Sequence, residues 1–95
     1  MKESTLVDHI RKALTERGVK VIKIHGNQFM SAGEPDLIGC KDGRMYCWEV
    51  KVGSNTATAL QIKRLAEWRA TGAVTAVVRS VNDALNVLTN GRPTV

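Results

Sequence analysis

The chain has 95 residues, of which 14 are Lys or Arg and 9 are Asp or Glu, so its formal net charge is +5. This length supports one small domain with a modest core, because small domains bury a lower fraction of their surface. The excess of cations favours a polyanionic partner. The sequence contains no apolar run that would span a membrane and no apolar signal-peptide core near its N-terminus. We therefore expect a cytoplasmic protein without a membrane partner.

An amphipathic helix is predicted from Glu3 to Arg17, with Gly18 as its C-terminal cap. Glu3 lies four residues before Val7 and seven before Ile10, so it points towards the side of the helix that carries the apolar stripe. Its carboxylate either complements the helix dipole or is directed into a functional site. The apolar stripe consists of Leu6, Val7, Ile10, Ala13 and Leu14.

A first strand is predicted from Val19 to Ile24, because this run is rich in β-branched residues. Residues 25–33 contain turn-forming residues and little periodicity, which predicts a loop positioned to touch a substrate. Lys23 and His25 lie at the end of the strand and the start of the loop. Each is interpreted either as a phosphate contact or as an ordinary polar residue.

A β-hairpin is predicted around Asp42-Gly43, because Asp-Gly between two β-rich segments is a strong turn signal. If these two residues form the turn, stepping outward along the strands makes Asp36 and Glu49 cross-strand neighbours. The intervening pairs are Lys41 with Arg44, Cys40 with Met45, and Ile38 with Cys47.

Side chains alternate along a strand, so Asp36, Glu49 and Lys51 are predicted to share one face of the hairpin. Two carboxylates at cross-strand distance repel each other and need a compensating charge. Lys51 supplies one positive charge, and a bridging divalent cation would supply the rest. Carboxylate oxygens suit hard cations, so we expect Mg²⁺ or Mn²⁺.

Cys40 and Cys47 lack the spacing of a zinc or redox motif, and both are predicted to be reduced and buried. Glu34 is predicted to face solvent, because Pro35 lacks an N–H and ends the strand pairing.

A second helix is predicted from the capping box at Thr58 to about Thr71. The capping box predicts that the side chain of Gln61 bonds back to the Thr58 backbone. Trp68 is predicted to lie in the core. Lys63 and Arg64 are interpreted either as phosphate contacts or as solvated charges.

A buried strand is predicted from Ala73 to Val78, joined by a parallel crossover, and Ser80 is predicted to cap a helix from Val81 to Leu88. Residues 89–95 are predicted to be a flexible tail. Together these elements predict an α/β fold of order αβββαβα in a single domain that comprises residues 1–95.

The motifs Pro35-Asp36 and Glu49-Val50-Lys51 resemble the signature of the PD-(D/E)XK nuclease superfamily. With Gly33-Glu34 in front, the pattern is most similar to the virus-type replication-repair nuclease (VRR-NUC) domain in its stand-alone, phage-like form. The resemblance implies a restriction-endonuclease-like core, with a mixed central sheet flanked by helices. For a phage-encoded protein, the expected location is the host cytoplasm.

The resemblance also implies a site with one or two Mg²⁺ or Mn²⁺ ions and no organic cofactor. Lys51 would position the attacking water or stabilise the transition state, and Gln61 would lie beside it. The implied metal ligands are Asp36, Glu49, the backbone carbonyl of Val50 and Glu3.

The implied activity is hydrolysis of DNA, with branched DNA such as Holliday junctions cut by a homodimer. Two alternatives stay open. A restriction-type subunit would cut at a specific sequence, and a non-catalytic module would bind nucleic acid without cutting it.

Overall fold

The computed structural model describes residues 1–24 and 32–90. Helices and strands follow one another in the order predicted, with a hairpin between the second and third strands. The elements are α1 (Glu3–Glu16), β1 (Lys20–Lys23), β2 (Leu37–Lys41), β3 (Arg44–Val50), α2 (Ala59–Ala70), β4 (Val74–Val78) and α3 (Val81–Asn90).

The four strands form one mixed sheet in the order β1-β2-β3-β4. β1, β2 and β3 are antiparallel neighbours, whereas β4 runs parallel to β3. The predicted hairpin register is confirmed from Lys41 opposite Arg44 to Ile38 opposite Cys47. Asp42 and Gly43 have φ values of 53° and 76°, as a two-residue turn with left-handed central residues requires. The turn therefore sets which side chains reach each face.

The sheet is covered by different helices on its two faces. On one face, Trp48 and its neighbours pack against the apolar stripe of α1 and against α3. On the other face, Cys47, Leu65 and Ala73 form a smaller cluster beneath α2. Leu65 is the buried residue of α2, so this helix is held by a limited apolar contact.

Gly39 allows β1 and β2 to approach the large side chain of Trp48. A Cβ at this position would lie 2.9 Å from the carbonyl oxygen of Lys20, 2.9 Å from Cγ1 of Val19 and 3.1 Å from the Trp48 ring. Because one of these neighbours is backbone, the space for a side chain is closed. The fully buried Trp48 thus depends on a residue without Cβ in the adjacent strand.

Two predicted helix N-termini are confirmed by their caps. The Thr58 hydroxyl accepts a hydrogen bond from the Gln61 N–H, and the Ser80 hydroxyl accepts one from the Asp83 N–H. The predicted end of the last helix is wrong, because α3 continues past Leu88 to Asn90. Residues 91–95 of the predicted tail lie outside the described residues.

Burial of Cys40 is a second prediction that the structure corrects. Cys47 is buried, but Cys40 is exposed, and both are free thiols. The cluster beneath α2 reaches Ile38 and Met45 without including Cys40. α2 covers β3 and β4, which leaves the β1 side of this face open, and Ile22 on β1 is also 49% exposed. Within the described parts of the chain, no helix has the length and apolar character needed to cross a membrane.

Candidate active site

Three carboxylates from separate parts of the chain converge at one end of the β2–β3 hairpin. Glu3 is the first residue of α1, Asp36 directly precedes β2, and Glu49 is the penultimate residue of β3. One oxygen of each lies within 4.8 Å of an oxygen of the other two. The hairpin register predicted Asp36 and Glu49 as neighbours, and Glu3, which the resemblance implied as a further ligand, lies beside them.

Asp36 is held by hydrogen bonds from the chain segments on both sides of it, at the ends of β1 and β3. The strand pairing of the hairpin ends at Leu37 opposite Trp48, one residue short of the predicted pairing with Glu49. Instead, the Asp36 carbonyl accepts the N–H of Ile24 at 2.9 Å, and its carboxylate oxygen Oδ2 accepts the N–H of Val50 at 2.8 Å. The carboxylate thereby replaces a hydrogen bond of the strand pairing and is fixed in orientation.

Glu49 is a buried acid whose carboxylate oxygens have no hydrogen-bond donor among residues 1–24 and 32–90. Its side chain is 1% exposed. Lys51 Nζ lies 3.8 Å from Glu49 Oε2, which is an ion pair but is too long for a hydrogen bond. Burial, and then the negative charge of Asp36, raise the pKa of Glu49 to about 9, although Lys51 opposes this shift.

The donor set fits a hard divalent cation. One oxygen of each of the three carboxylates lies within 4.8 Å of the other two, so the three are close enough together to be ligands of one hard cation. The buried oxygens of Glu49 lack a partner that a cation would provide. The residues present therefore suit a metal ion that neutralises their charge.

Gln61 forms the capping bond that the sequence predicted. Its Oε1 accepts the N–H of Thr58 at 2.9 Å, while its own N–H donates to the Thr58 hydroxyl at 3.1 Å. This bond uses the amide oxygen, whereas the two N–H donors of the Gln61 amide are not needed for it. Capping and a role at the site are therefore chemically compatible.

The predicted phosphate contacts do not belong to the carboxylate cluster. Lys23 Nζ pairs with Asp8 at 3.4 Å, and Lys63 is exposed on α2. Arg64 is engaged within the protein: it pairs with Glu67 at 3.1 Å and donates from Nε to the Ala32 carbonyl at 3.0 Å. His25 lies outside the described residues.

The prediction that Glu34 faces solvent is wrong. The residue is partly buried, and its Oε1 accepts a hydrogen bond from Trp68 Nε1 at 3.0 Å. The pKa of Cys47 is raised to about 12, mainly by burial of its thiol and in addition by the negative charge of Glu34. The clue in the sequence was Trp68 itself, because a partly buried indole N–H generally requires an acceptor.

Two solved structures share the arrangement of helices and strands described above. A VRR_NUC domain matches with a TM-score of 0.67 and 24% sequence identity, covering 86% of this chain and 92% of its own. Hjc from Archaeoglobus fulgidus, a Holliday junction resolvase, matches with a TM-score of 0.66 and 18% identity, covering 81% of this chain and 67% of its own. The sequence matches no family model and no curated protein.

Proposed function

Because this chain has the restriction-endonuclease-like fold of the PD-(D/E)XK nucleases, we propose that it is a metal-dependent endonuclease that hydrolyses DNA phosphodiester bonds. The observation that carries this proposal is the convergence of Glu3, Asp36 and Glu49 beside Lys51. A buried carboxylate without a hydrogen-bond donor lowers the stability of a protein. The unpartnered Glu49 is therefore better explained as a metal ligand of a phosphodiesterase site than as a structural residue.

The ligands proposed for Mg²⁺ or Mn²⁺ are the carboxylates of Asp36, Glu49 and Glu3, together with the backbone carbonyl of Val50. When bound, such an ion lowers the pKa of water and neutralises charge on phosphate oxygens. The N–H of Val50 orients Asp36, and burial holds Glu49 in place. These contacts organise the site before a cation arrives.

Lys51 is proposed to stabilise negative charge on the phosphate in the transition state and to position the attacking water. Its side chain is 10% exposed, so its ammonium group acts where solvent screens charges weakly. Lys51 Nζ lies 3.8 Å from Glu49 Oε2, so it is close to the acids and forms no short hydrogen bond with Glu49. Its N–H donors therefore remain available for a phosphate oxygen or a water molecule. Gln61, at the start of α2, is proposed to orient water or phosphate with its amide N–H groups.

The proposed substrate is branched DNA, such as a four-way junction, and the proposed active form is a homodimer. Fold similarity to a protein named as a Holliday junction resolvase supports this choice, as does the net charge of +5. Two symmetry-related sites would cut two strands of a symmetric substrate in one encounter. Lys23, His25, Lys63 and Arg64 are the proposed phosphate contacts, with Lys63 the most freely available of the described three.

The test is cleavage of a labelled four-way junction and of the matching linear duplex, each with Mg²⁺, Mn²⁺ or EDTA. We expect junction cutting that requires the metal and is abolished by Lys51→Ala, Asp36→Ala and Glu49→Gln. Glu3→Gln is expected to weaken cutting, whereas Glu16→Gln, at the exposed end of the same helix, leaves it unchanged. Equal cutting of junction and duplex would contradict the structure-specific part of the proposal.

Binding measurements separate the enzyme from a non-catalytic module. Salt-dependent binding without cleavage under any metal condition would show that the acids have a structural role. Cleavage of duplex DNA at one sequence would instead indicate a restriction-type subunit. Sedimentation of the protein with and without a junction determines whether the active form is a homodimer.

A further inference from the structure

The three residues before Pro35 are contacted by one stripe of α2. The segment Ala32–Glu34 leads directly into Asp36, and it meets α2 at positions 60, 64 and 68 of the chain. These positions are spaced by four residues, so they lie on one side of the helix. We call them the α2 stripe; its members are Leu60, Arg64 and Trp68.

Each member of the α2 stripe makes a different contact with this segment. Arg64 Nε donates to the carbonyl of Ala32 at 3.0 Å. Trp68 Nε1 donates to the Glu34 carboxylate at 3.0 Å. Leu60 lies against Gly33, the residue between Ala32 and Glu34, where an added Cβ would be 2.8 Å from Leu60 Cγ.

From these contacts we infer that the α2 stripe is a positioning device, in which Arg64 and Trp68 place the segment that carries the metal ligand Asp36. This inference rests on the proposed function, since it assigns a role at the same metal site. Arg64 and Trp68 are positioning residues, because they act on Asp36 through the backbone of residues 32–35. The device gives a role to the contacts that Arg64 makes with Ala32 and Glu67.

The hydrogen bonds matter because the apolar contact beneath α2 is small. Leu65 is the buried residue of this helix, and Trp68 is only partly buried. The hydrogen bonds of Arg64 and Trp68 therefore add to this apolar contact in setting the position of α2 against residues 32–34. Arg64 is itself held by two hydrogen bonds to Glu67, one to each carboxylate oxygen, at 3.1 Å. Because Glu67 restrains the Arg64 side chain, the hydrogen bond from Arg64 Nε also restrains the carbonyl of Ala32.

Gly33 adds a steric part to the same device. Its φ of +82° belongs to the left-handed region that side chains rarely adopt, and Leu60 closes the space above it. The chain therefore turns sharply under α2 immediately before Pro35. Moving α2 would release this turn and, with it, the position of Asp36.

The test is the affinity of the full chain for Mn²⁺ alone, measured by calorimetric titration at a temperature where every variant is folded. Trp68→Phe keeps an aromatic ring but removes the indole N–H, and we expect it to weaken Mn²⁺ binding about tenfold, the low end of the effect of losing groups that support metal ligands. Glu34→Ala is expected to have a similar effect. A double variant with both substitutions should bind about as tightly as the weaker single variant, because both remove the same bond.

Glu34→Gln separates the hydrogen bond from the charge of Glu34. The amide oxygen still accepts from Trp68 Nε1, so Mn²⁺ affinity should stay close to that of the wild type. Equal weakening by Glu34→Gln and Glu34→Ala would overturn the inference, since the effect would then come from charge.

Arg64→Ala gives an independent measurement in case Trp68→Phe does not fold. We expect it to weaken Mn²⁺ binding, whereas Lys12→Ala, which removes an exposed cation from α1, should not. Folded variants that lose stability but keep the wild-type Mn²⁺ affinity would overturn the inference and leave the nuclease proposal intact. A wild-type chain that binds no Mn²⁺ would overturn both.

Discussion

The N–H of Val50 donates a hydrogen bond to Oδ2 of Asp36 across 2.8 Å, so the end of β3 is tied to the acid that precedes β2. Asp36→Ala removes this acceptor, whereas Asp36→Asn keeps an oxygen in its place. Both variants lack the negative charge of Asp36. The alanine variant is therefore expected to be less stable than the asparagine variant by about 1–3 kcal/mol, the cost of an unsatisfied buried donor.

Urea unfolding of both variants in EDTA measures this difference. In a parallel Mn²⁺ titration, both variants should lose affinity, because neither supplies a carboxylate at position 36. Equal stability of the two variants would mean that water satisfies the Val50 N–H after substitution.

Glu49 makes the stability of the metal-free protein depend on pH. Its pKa is about 9 in the folded chain, compared with the ordinary value of 4.5, because of burial and the charge of Asp36. Between these pH values the folded state binds the proton more strongly than the unfolded state does. The contribution of protonated Glu49 is therefore complete below pH 4.5 and is lost as the pH rises towards 9. Glu49→Gln should flatten this decline, whereas Glu16→Gln should not.

The measurement is the free energy of unfolding in EDTA at a series of pH values between 5 and about 9. The same pKa shift predicts that Mg²⁺ stabilises the wild type more as the pH rises, because binding requires ionised Glu49. A Mg²⁺ effect that does not change with pH would contradict this prediction.

The two cysteines should react with thiol reagents at very different rates. Cys40 is exposed, whereas Cys47 is buried, and its pKa is raised to about 12 by burial and by the nearby charge of Glu34. A disulfide reagent at about pH 8 should therefore modify one thiol in the folded protein and both after unfolding, because the thiolate is the reactive form. Cys40→Ser should remove the fast reaction, and fast modification of that variant would show that Cys47 is accessible.

Gly39→Ala should destabilise the sheet by about 1–3 kcal/mol, the typical cost of overpacking. The new Cβ would meet the Lys20 carbonyl and the Val19 side chain, each at 2.9 Å. Adding Val19→Ala should not restore stability, because the backbone oxygen of Lys20 remains. Urea unfolding of the two variants provides the measurement, and full recovery in the double variant would mean that β1 can move away.

Local features of the sequence were enough to predict most of the fold. The Asp42-Gly43 turn determined the register of β2 and β3, because a two-residue turn places Lys41 opposite Arg44. Every later pair, and the face to which each side chain points, follows from that first pair. Helix starts at Thr58 and Ser80 depended on side chains that bond to backbone three residues away. The proximity of Asp36 and Glu49 followed from the same register.

Contacts between distant segments had to come from the tertiary structure. A helix period shows that Glu3 points towards the sheet, but only the packing of α1 brings its carboxylate to Asp36 and Glu49. Cys40 is exposed because α2 leaves the β1 side of its face uncovered, which no pattern within β2 reveals. Glu34 was misjudged for the same reason, since its partner Trp68 is 34 residues away. The sequence by itself thus determined the elements, the hairpin register and the proximity of Asp36 and Glu49, whereas the packing of helices on the sheet decided which side chains from distant segments meet.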